Sequence, residues 1–351
     1  MNHSRKLWKK AARLAFTVVV VGILFHFVDW RHVVSALAGA SLAWLLPAYA
    51  LVVARRSIEV AQMARVLRLV GSPVGWWRVF RANALAGFYA IFTPGSLIPV
   101  AVKWTDLAAA TGKRALVLNA IIYSRLLLDL QPVIIGAVAL AWANPTGQPL
   151  LAVAAAGLAA LGLVVAMCLF APWLGPAARS MSNALSRWLP VGLGTRIGRL
   201  LDELEPFRTF PIGRHLSLAA IALASFAVGI VTRFMLMKSL GFHVPLSTII
   251  WVDAILIVVG HMPITIGNFG VREGLVVAAF GLYGVPADVA VAYGLLVYSC
   301  RVIMALVGGG YQLALIGGWA TMRGAPPGSS ERPAGPAHGK AAAIEATRER
   351  A

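Results

Sequence analysis

The sequence predicts an all-α fold: a polytopic helical membrane protein with about six to eight spans and two re-entrant or broken helical segments. Three observations predict it. Of 351 residues, 59% are hydrophobic and only 13% charged, against roughly 45–50% and 25% in soluble domains. Apolar windows long enough, or nearly so, to cross a bilayer recur along the chain. The basic residues, 31 against 13 acidic for a net charge of +18, crowd into the segments between those windows. A soluble core of this length cannot bury so much apolar surface. Soluble enzymes, disordered proteins and nucleic-acid binders are therefore disfavoured, and the positive charge suits a membrane surface.

The windows fall at 11–28, 35–55, 82–102, 115–143, 149–171, 214–238, 245–265, 268–284 and 286–318. The first follows Arg5, Lys6, Lys9 and Lys10. It reads as an uncleaved span rather than a signal peptide, because charge separates it from the small-residue site at Ala36 and Ala38 and apolar sequence resumes at once. Orientation follows from the basic residues. Five lie at the N-terminus, six in 55–81, three in 103–114, six in 173–214 and five after Thr321, which together make 25 of the 31. These segments are assigned to the cytoplasm with both termini, in a multi-pass protein of the inner (plasma) membrane, and the uncharged 144–148 to the outside.

Segments 55–81 and 103–114 cannot share a side if 82–102 crosses fully. That stretch is therefore predicted to be a re-entrant hairpin broken at Pro94 and Gly95, which backbone tolerates at membrane depth only inside protein or beside a wet cavity. A second interruption sits within 245–284. There Pro263, Gly267 and Gly270 are expected to end one helical piece and Gly274 onward to begin another. Broken segments entering from opposite faces are the arrangement of inverted-repeat transporters with a midplane site, although no internal sequence repeat is evident. Residues 173–213 read as an amphipathic cytoplasmic connection, with Ile197, Leu200, Leu201, Leu204 and Phe207 on one helix face. The predicted domains are thus a transmembrane unit over 1–320 and a disordered cytoplasmic tail over 321–351.

Charges inside apolar spans are costly and point to function. They are Arg125, Asp129, Arg233, Asp253, Arg272, Glu273 and Arg301, with His261 beside the second break. Four arginines against three acids leave a positive interior suited to a phosphate, which guanidinium grips in bidentate fashion. Arg125 and Asp129 are spaced i,i+4 and also suit a structural ion pair. Arg272 and Glu273 flank a glycine-marked break, either at a half-helix N-terminus or in a surface loop. Arg301 is too central to snorkel, whereas Lys238 suits a snorkelling anchor near a span end shared with Arg233. Asp253 suits an arginine partner or a proton, and His261 a structural role. Cys168 and Cys300 sit in apolar runs with neither metal-ligand nor disulfide spacing. The sequence contains no nucleotide, nucleophile or metal motif, so no catalytic residue, metal or cofactor is expected.

The two breaks resemble those of the flippase-like family named after the transmembrane region of lysylphosphatidylglycerol synthase, the multiple peptide resistance factor. Thr93-Pro94-Gly95-Ser96 with Lys103 resembles its first break and trailing basic residue, and Arg125 with Asp129 its charged span. Pro263 to Gly274 is similar to its Pro-x-x-x-Gly-x-x-Gly-Val-Arg-Glu signature, and Gly281-Leu-Tyr-Gly-Val-Pro with Arg301 to the segment that follows. The resemblance covers roughly 10–320. It departs at Leu97-Ile98-Pro99-Val100, where the family carries a Gly-Gly-acid run, and a stand-alone unit without the aminoacyl-transferase domain is expected.

What the resemblance implies is a lipid flippase moving an anionic or modified lipid (glyco-, polyprenyl-phosphate- or aminoacyl-) between leaflets. Lys103, Arg125, Asp129, Arg272, Glu273 and Arg301 are its expected substrate-binding residues. Two alternatives remain: an intramembrane enzyme modifying a lipid head group with Glu273 or Asp129 as base, or an accessory partner of a lipid-modifying or glycosyl-transferring enzyme. The expected partner in every case is a membrane lipid, not nucleic acid.

Overall fold

The computed structural model describes residues 30–92, 97–170, 205–208, 210–261 and 270–323. They form helices α1 (Trp30–Ala38), α2 (Leu42–Leu69), α3 (Trp76–Phe92), α4 (Leu97–Thr111), α5 (Arg114–Ala143) and α6 (Pro149–Phe170), then α7 (Glu205–Arg208), α8 (Ile212–Ser239), α9 (Leu246–His261), α10 (Val271–Gly281) and α11 (Ala287–Arg323). They divide into a unit ending at Tyr311 and one beginning at Gln312, the latter holding the end of α11. Four helices are long and apolar enough to cross a membrane: α5, residues 149–167 of α6, α8, and residues 287–313 of α11. A fifth candidate is α1 with α2, bent by 85° where they meet. The fold is all-helical among the described residues and polytopic. The expected first span, the amphipathic face up to Leu204 and the tail beyond Arg323 lie outside the described residues.

The long helices α2 and α8 pack antiparallel. Ser41 N–H donates to Ser239 O at one end (2.8 Å), and Gln62 Nε2 to Leu218 O towards the other (3.3 Å). Each ends at a glycine held in the left-handed region, Gly71 (φ 71°) and Gly241 (φ 78°). Their N–H groups close the last turns onto Arg68 O and Lys238 O, a termination that a side chain would oppose. A short connection then leads each into two shorter helices and a long one: α3, α4 and α5 after α2; α9, α10 and α11 after α8.

Two apolar cores follow from this arrangement. One packs Val60, Met63 and Leu67 of α2 with Val79, Leu107, Tyr123 and Leu218. The other packs Leu236 and Met237 of α8 with Ile249, Val276, Phe280, Tyr293 and Leu45. The antiparallel pair joins them, with one core near the C-terminal end of each helix. The halves also exchange contacts. Gly136 of α5 lies against Ala254 of α9, and Gly308 of α11 against the Ala84 carbonyl of α3. The same sequence distance separates Gly71 from Gly241 as Ala84 from Ala254. Two halves of like order and opposite direction therefore interlock, although the sequence shows no clear repeat.

Several expectations change in detail. The span placed at 35–55 starts at Leu42 after the bend and runs without interruption to Leu69, so Arg55, Arg56 and Arg65 are helical residues rather than loop residues. The hairpin around 82–102 is longer than expected: α3 and α4 pack together, and Arg81 Nη2 meets Asp106 Oδ1 at 2.7 Å, the two residues lying at similar distances from the break. Helix α10 begins at Val271, not Gly274, and Gly270 caps it rather than ending the previous helix. Pro94, Gly95, Pro263 and Gly267 lie outside the described residues. Phe207, expected at a lipid interface, is buried and stacks on Tyr123 at 4.3 Å. The final helix continues through 321–323, past the expected domain boundary.

Candidate functional site

Between the two cores, at mid-length of α2 and α8, the packing turns from apolar to charged. On α2 the spacing of Arg55, Arg56 and Glu59 brings all three onto one helix face. Arg55 Nε lies 3.1 Å from Glu59 Oε1 and Arg56 Nη1 2.6 Å from Glu59 Oε2. Ser225 of α8 donates to the same carboxylate at 3.4 Å. One turn along α8, Gly229 leaves room for two guanidinium groups. A Cβ there would stand 2.8 Å from Arg55 Nη1 and 3.2 Å from Arg233 Nη1.

Arg233 also donates to Gly229 O (3.2 Å) and forms an ion pair with Asp253 of α9 at 2.6 Å. Their side chains are only 14% and 2% exposed. Asp253 Oδ2 is buried without a hydrogen-bond partner among the described residues. Removing one member of such a buried pair typically costs about 3–5 kcal/mol, because the other charge is stranded.

Helix α10 brings in the next two groups. Glu273, its third residue, accepts the Gly270 N–H at 2.7 Å and so closes the first turn. Gly270 has φ 87°, a conformation that glycine supplies cheaply. Arg272, one residue earlier, is 7% exposed, and its Nε and Nη1 are buried without a hydrogen-bond partner among the described residues. Its electrostatic neighbours are Arg233, Glu273, Asp253 and Tyr293.

Arg301 of α11 is exposed. Its strongest electrostatic neighbour is Arg272, a like charge, followed by Arg233 and Arg56. Two residues before Arg301, Ser299 shares a hydrogen bond of 2.8 Å with Tyr49 of α2.

Lys103 of α4 is within electrostatic reach of Glu59, Arg56 and Arg125. Arg125 Nε is 2.5 Å from Asp129 Oδ2, with the Arg125 side chain 56% exposed. The six expected binding residues thus fall into two sets, Lys103, Arg125 and Asp129 in the first half and Arg272, Glu273 and Arg301 in the second. What joins them is Arg55, Arg56, Glu59, Arg233 and Asp253. Counting basic residues assigned Arg55 and Arg56 to a loop, yet Glu59, one turn later, was a visible neutralising partner. Arg233 was expected near a span end with Lys238, and its pairing with α9 is a tertiary fact.

The arrangement is a cationic seam between inverted halves, suited to gripping a phosphate group. Among the described residues no three His, Cys, Asp or Glu side chains gather as a metal site. No curated protein matches the chain. The family described as "Lysylphosphatidylglycerol synthase TM region" matches residues 10–309. This multi-pass membrane protein, with its charged seam and glycine-capped Arg272-Glu273 turn, therefore belongs to the family of the lysylphosphatidylglycerol synthase transmembrane region.

Proposed function

We propose that the protein is a lipid flippase, moving an anionic or modified lipid between the leaflets of the inner membrane with both termini in the cytoplasm. The observation that carries this reading is Arg272: a buried guanidinium, unpartnered at two nitrogens, at the start of a short helix. A flippase shelters a polar head group in a hydrated slot while the acyl chains stay in lipid. Inverted halves that meet at a charged seam supply such a slot and two directions of approach. Arg272, Arg301 and Lys103 receive the phosphate, and the Arg125–Asp129 pair flanks the route. The sequence carries no nucleotide-binding motif, so the drive is an ion gradient, the membrane potential or downhill lipid flow.

Reconstitution of the purified chain in vesicles with labelled lipid tests this. Transbilayer movement without chemical change is the expected outcome. A changed head group would instead identify an enzyme, and movement only with an added lipid-modifying or glycosyl-transferring enzyme an accessory subunit. The enzyme reading has little geometric support, because Glu273 is held by its cap and Asp129 by Arg125.

A further inference from the structure

The corner between α2 and α3 gathers exposed aromatic and cationic side chains that neither core uses. Trp76 and Trp77, the first residues of α3, are 40% and 62% exposed. Both stack on Phe80, at 5.2 and 5.5 Å between ring centroids, and Phe80 in turn packs on the first-half core. The exposed rings are therefore held as a fixed platform. Arg68, in the last turn of α2, and Arg78, in the first turn of α3, are exposed at the same corner. Lys113 reaches it from the α4–α5 connection, its Nζ donating to Gly71 O at 2.7 Å. Between residues 60 and 115 the sequence has a single acid, Asp106, and it is engaged by Arg81. The corner is left cationic.

The packing of α3 on α11 sets the depth of this corner. Trp77 meets Tyr311 of α11 edge-on, with 6.1 Å between ring centroids. Tyr311 lies about 36 Å along the axis from Ala287, where α11 begins, at roughly 1.5 Å per residue. That is slightly more than the roughly 30 Å of bilayer hydrocarbon. A span entering at Ala287 therefore delivers Tyr311, and Trp77 with it, to the opposite head-group layer, where amphipathic rings settle. The second half shows that the turn itself does not demand these side chains. After Gly241, helix α9 starts with Leu246, Ser247 and Thr248 in place of Trp76, Trp77 and Arg78, while Val79 and Ile249, next in each, are both buried. Rings and cations thus belong to this corner and not to its counterpart. We propose that the α2–α3 corner is a docking surface for anionic phospholipids of the leaflet it faces. Trp76 and Trp77 seat in the head-group layer, and Arg68 and Arg78 receive the phosphates. Such a lipid is a bound neighbour rather than cargo, so the proposal is independent of the transport reading.

The test is energy transfer from tryptophan to acyl-chain dansyl. The full chain is placed in phosphatidylcholine vesicles carrying a trace of dansyl phosphatidylglycerol or of dansyl phosphatidylcholine. The corner's share of the transfer is the part lost in Trp76→Phe with Trp77→Phe, which keeps an aromatic ring at both positions. That share is expected to be at least about twofold larger for phosphatidylglycerol, within the roughly fivefold preference that one arginine near an anionic surface supports. Arg68→Gln with Arg78→Gln, measured with and without the tryptophan changes, should abolish the preference. Both are surface positions, so the unfolding midpoint should stay within a few degrees of wild type. Added salt, which screens exposed charges, should shrink the preference of the unaltered chain as well. Equal shares for the two lipids in wild type overturn the proposal, and so does a preference that survives the loss of both arginines. Transfer undiminished by the tryptophan changes would place the corner away from lipid and overturn it too. None of these outcomes bears on lipid movement, which is measured separately.

Discussion

Arg233 of α8 and Asp253 of α9 lie 2.6 Å apart and almost wholly buried, tying the long helix of the second half to the short helix that follows it. Desolvating both charges offsets much of their attraction, so the pair contributes little net stability. Breaking it is a different matter. Asp253→Leu strands a guanidinium already crowded by Arg55 and Arg272. We expect a loss of about 3–5 kcal/mol for Asp253→Leu or Arg233→Leu alone, and substantially less for the two together. Unfolding of the four proteins in detergent as a double-mutant cycle measures this; additive losses would show that the ion pair is not coupled.

Gly229 separates the arrangement of charge from folding. A methyl there meets only the ends of the Arg55 and Arg233 side chains, which can swing aside. Gly229→Ala should therefore leave the unfolding temperature within a few degrees of wild type while lowering lipid movement at least about fivefold, a cost of about 1 kcal/mol in positioning. Transport equal to wild type would mean that these two guanidiniums do not set the geometry of the seam.

The glycine contacts between halves give the opposite signature. At Gly308 an added Cβ would overlap the Ala84 backbone carbonyl, which has no rotamer with which to escape. At Gly310 nothing lies within 4 Å. Gly308→Ala should cost about 1–3 kcal/mol by overpacking, whereas Gly310→Ala should be neutral or slightly stabilising through its helix propensity. Thermal unfolding of the two variants side by side decides, and equal midpoints would contradict the interlock of α11 with α3.

Composition alone made the helical membrane fold legible, because a chain with so few charges has no soluble alternative. The Arg125–Asp129 pair was legible from i,i+4 spacing, and a break beside Arg272 and Glu273 from the glycines around them, although the helix start fell at Val271 rather than Gly274. The length of α2 was not. Basic residues mark loops only when they face water, and Arg55 and Arg56 instead face Glu59. The repeat was also hidden. Its equivalence is carried by backbone demands, a left-handed glycine at 71 and 241 and a close approach at 136 and 308, rather than by matching side chains. The Arg233–Asp253 pair needs α8 and the helix that follows it to fold back on each other, a tertiary arrangement that no local pattern specifies.

The Arg272-Glu273 turn supports the most specific expectation for the site. Glu273 acts on structure: its carboxylate accepts the Gly270 N–H, and losing such a cap costs about 1 kcal/mol. Under the proposed function Arg272 acts on the ligand, since two of its nitrogens have no hydrogen-bond partner among the described residues. Both Arg272→Ala and Glu273→Ala should lower lipid movement with the protein still inserted and folded, but for different reasons. Glu273→Ala should also loosen α10, seen as faster amide exchange over 271–275. Arg272→Ala should leave that exchange unchanged while cutting transport at least about tenfold, the least expected from removing a charge-assisted hydrogen bond to a phosphate. Wild-type transport in both variants would remove this turn from the site, and faster exchange in Arg272→Ala would show that the guanidinium supports the helix rather than the lipid.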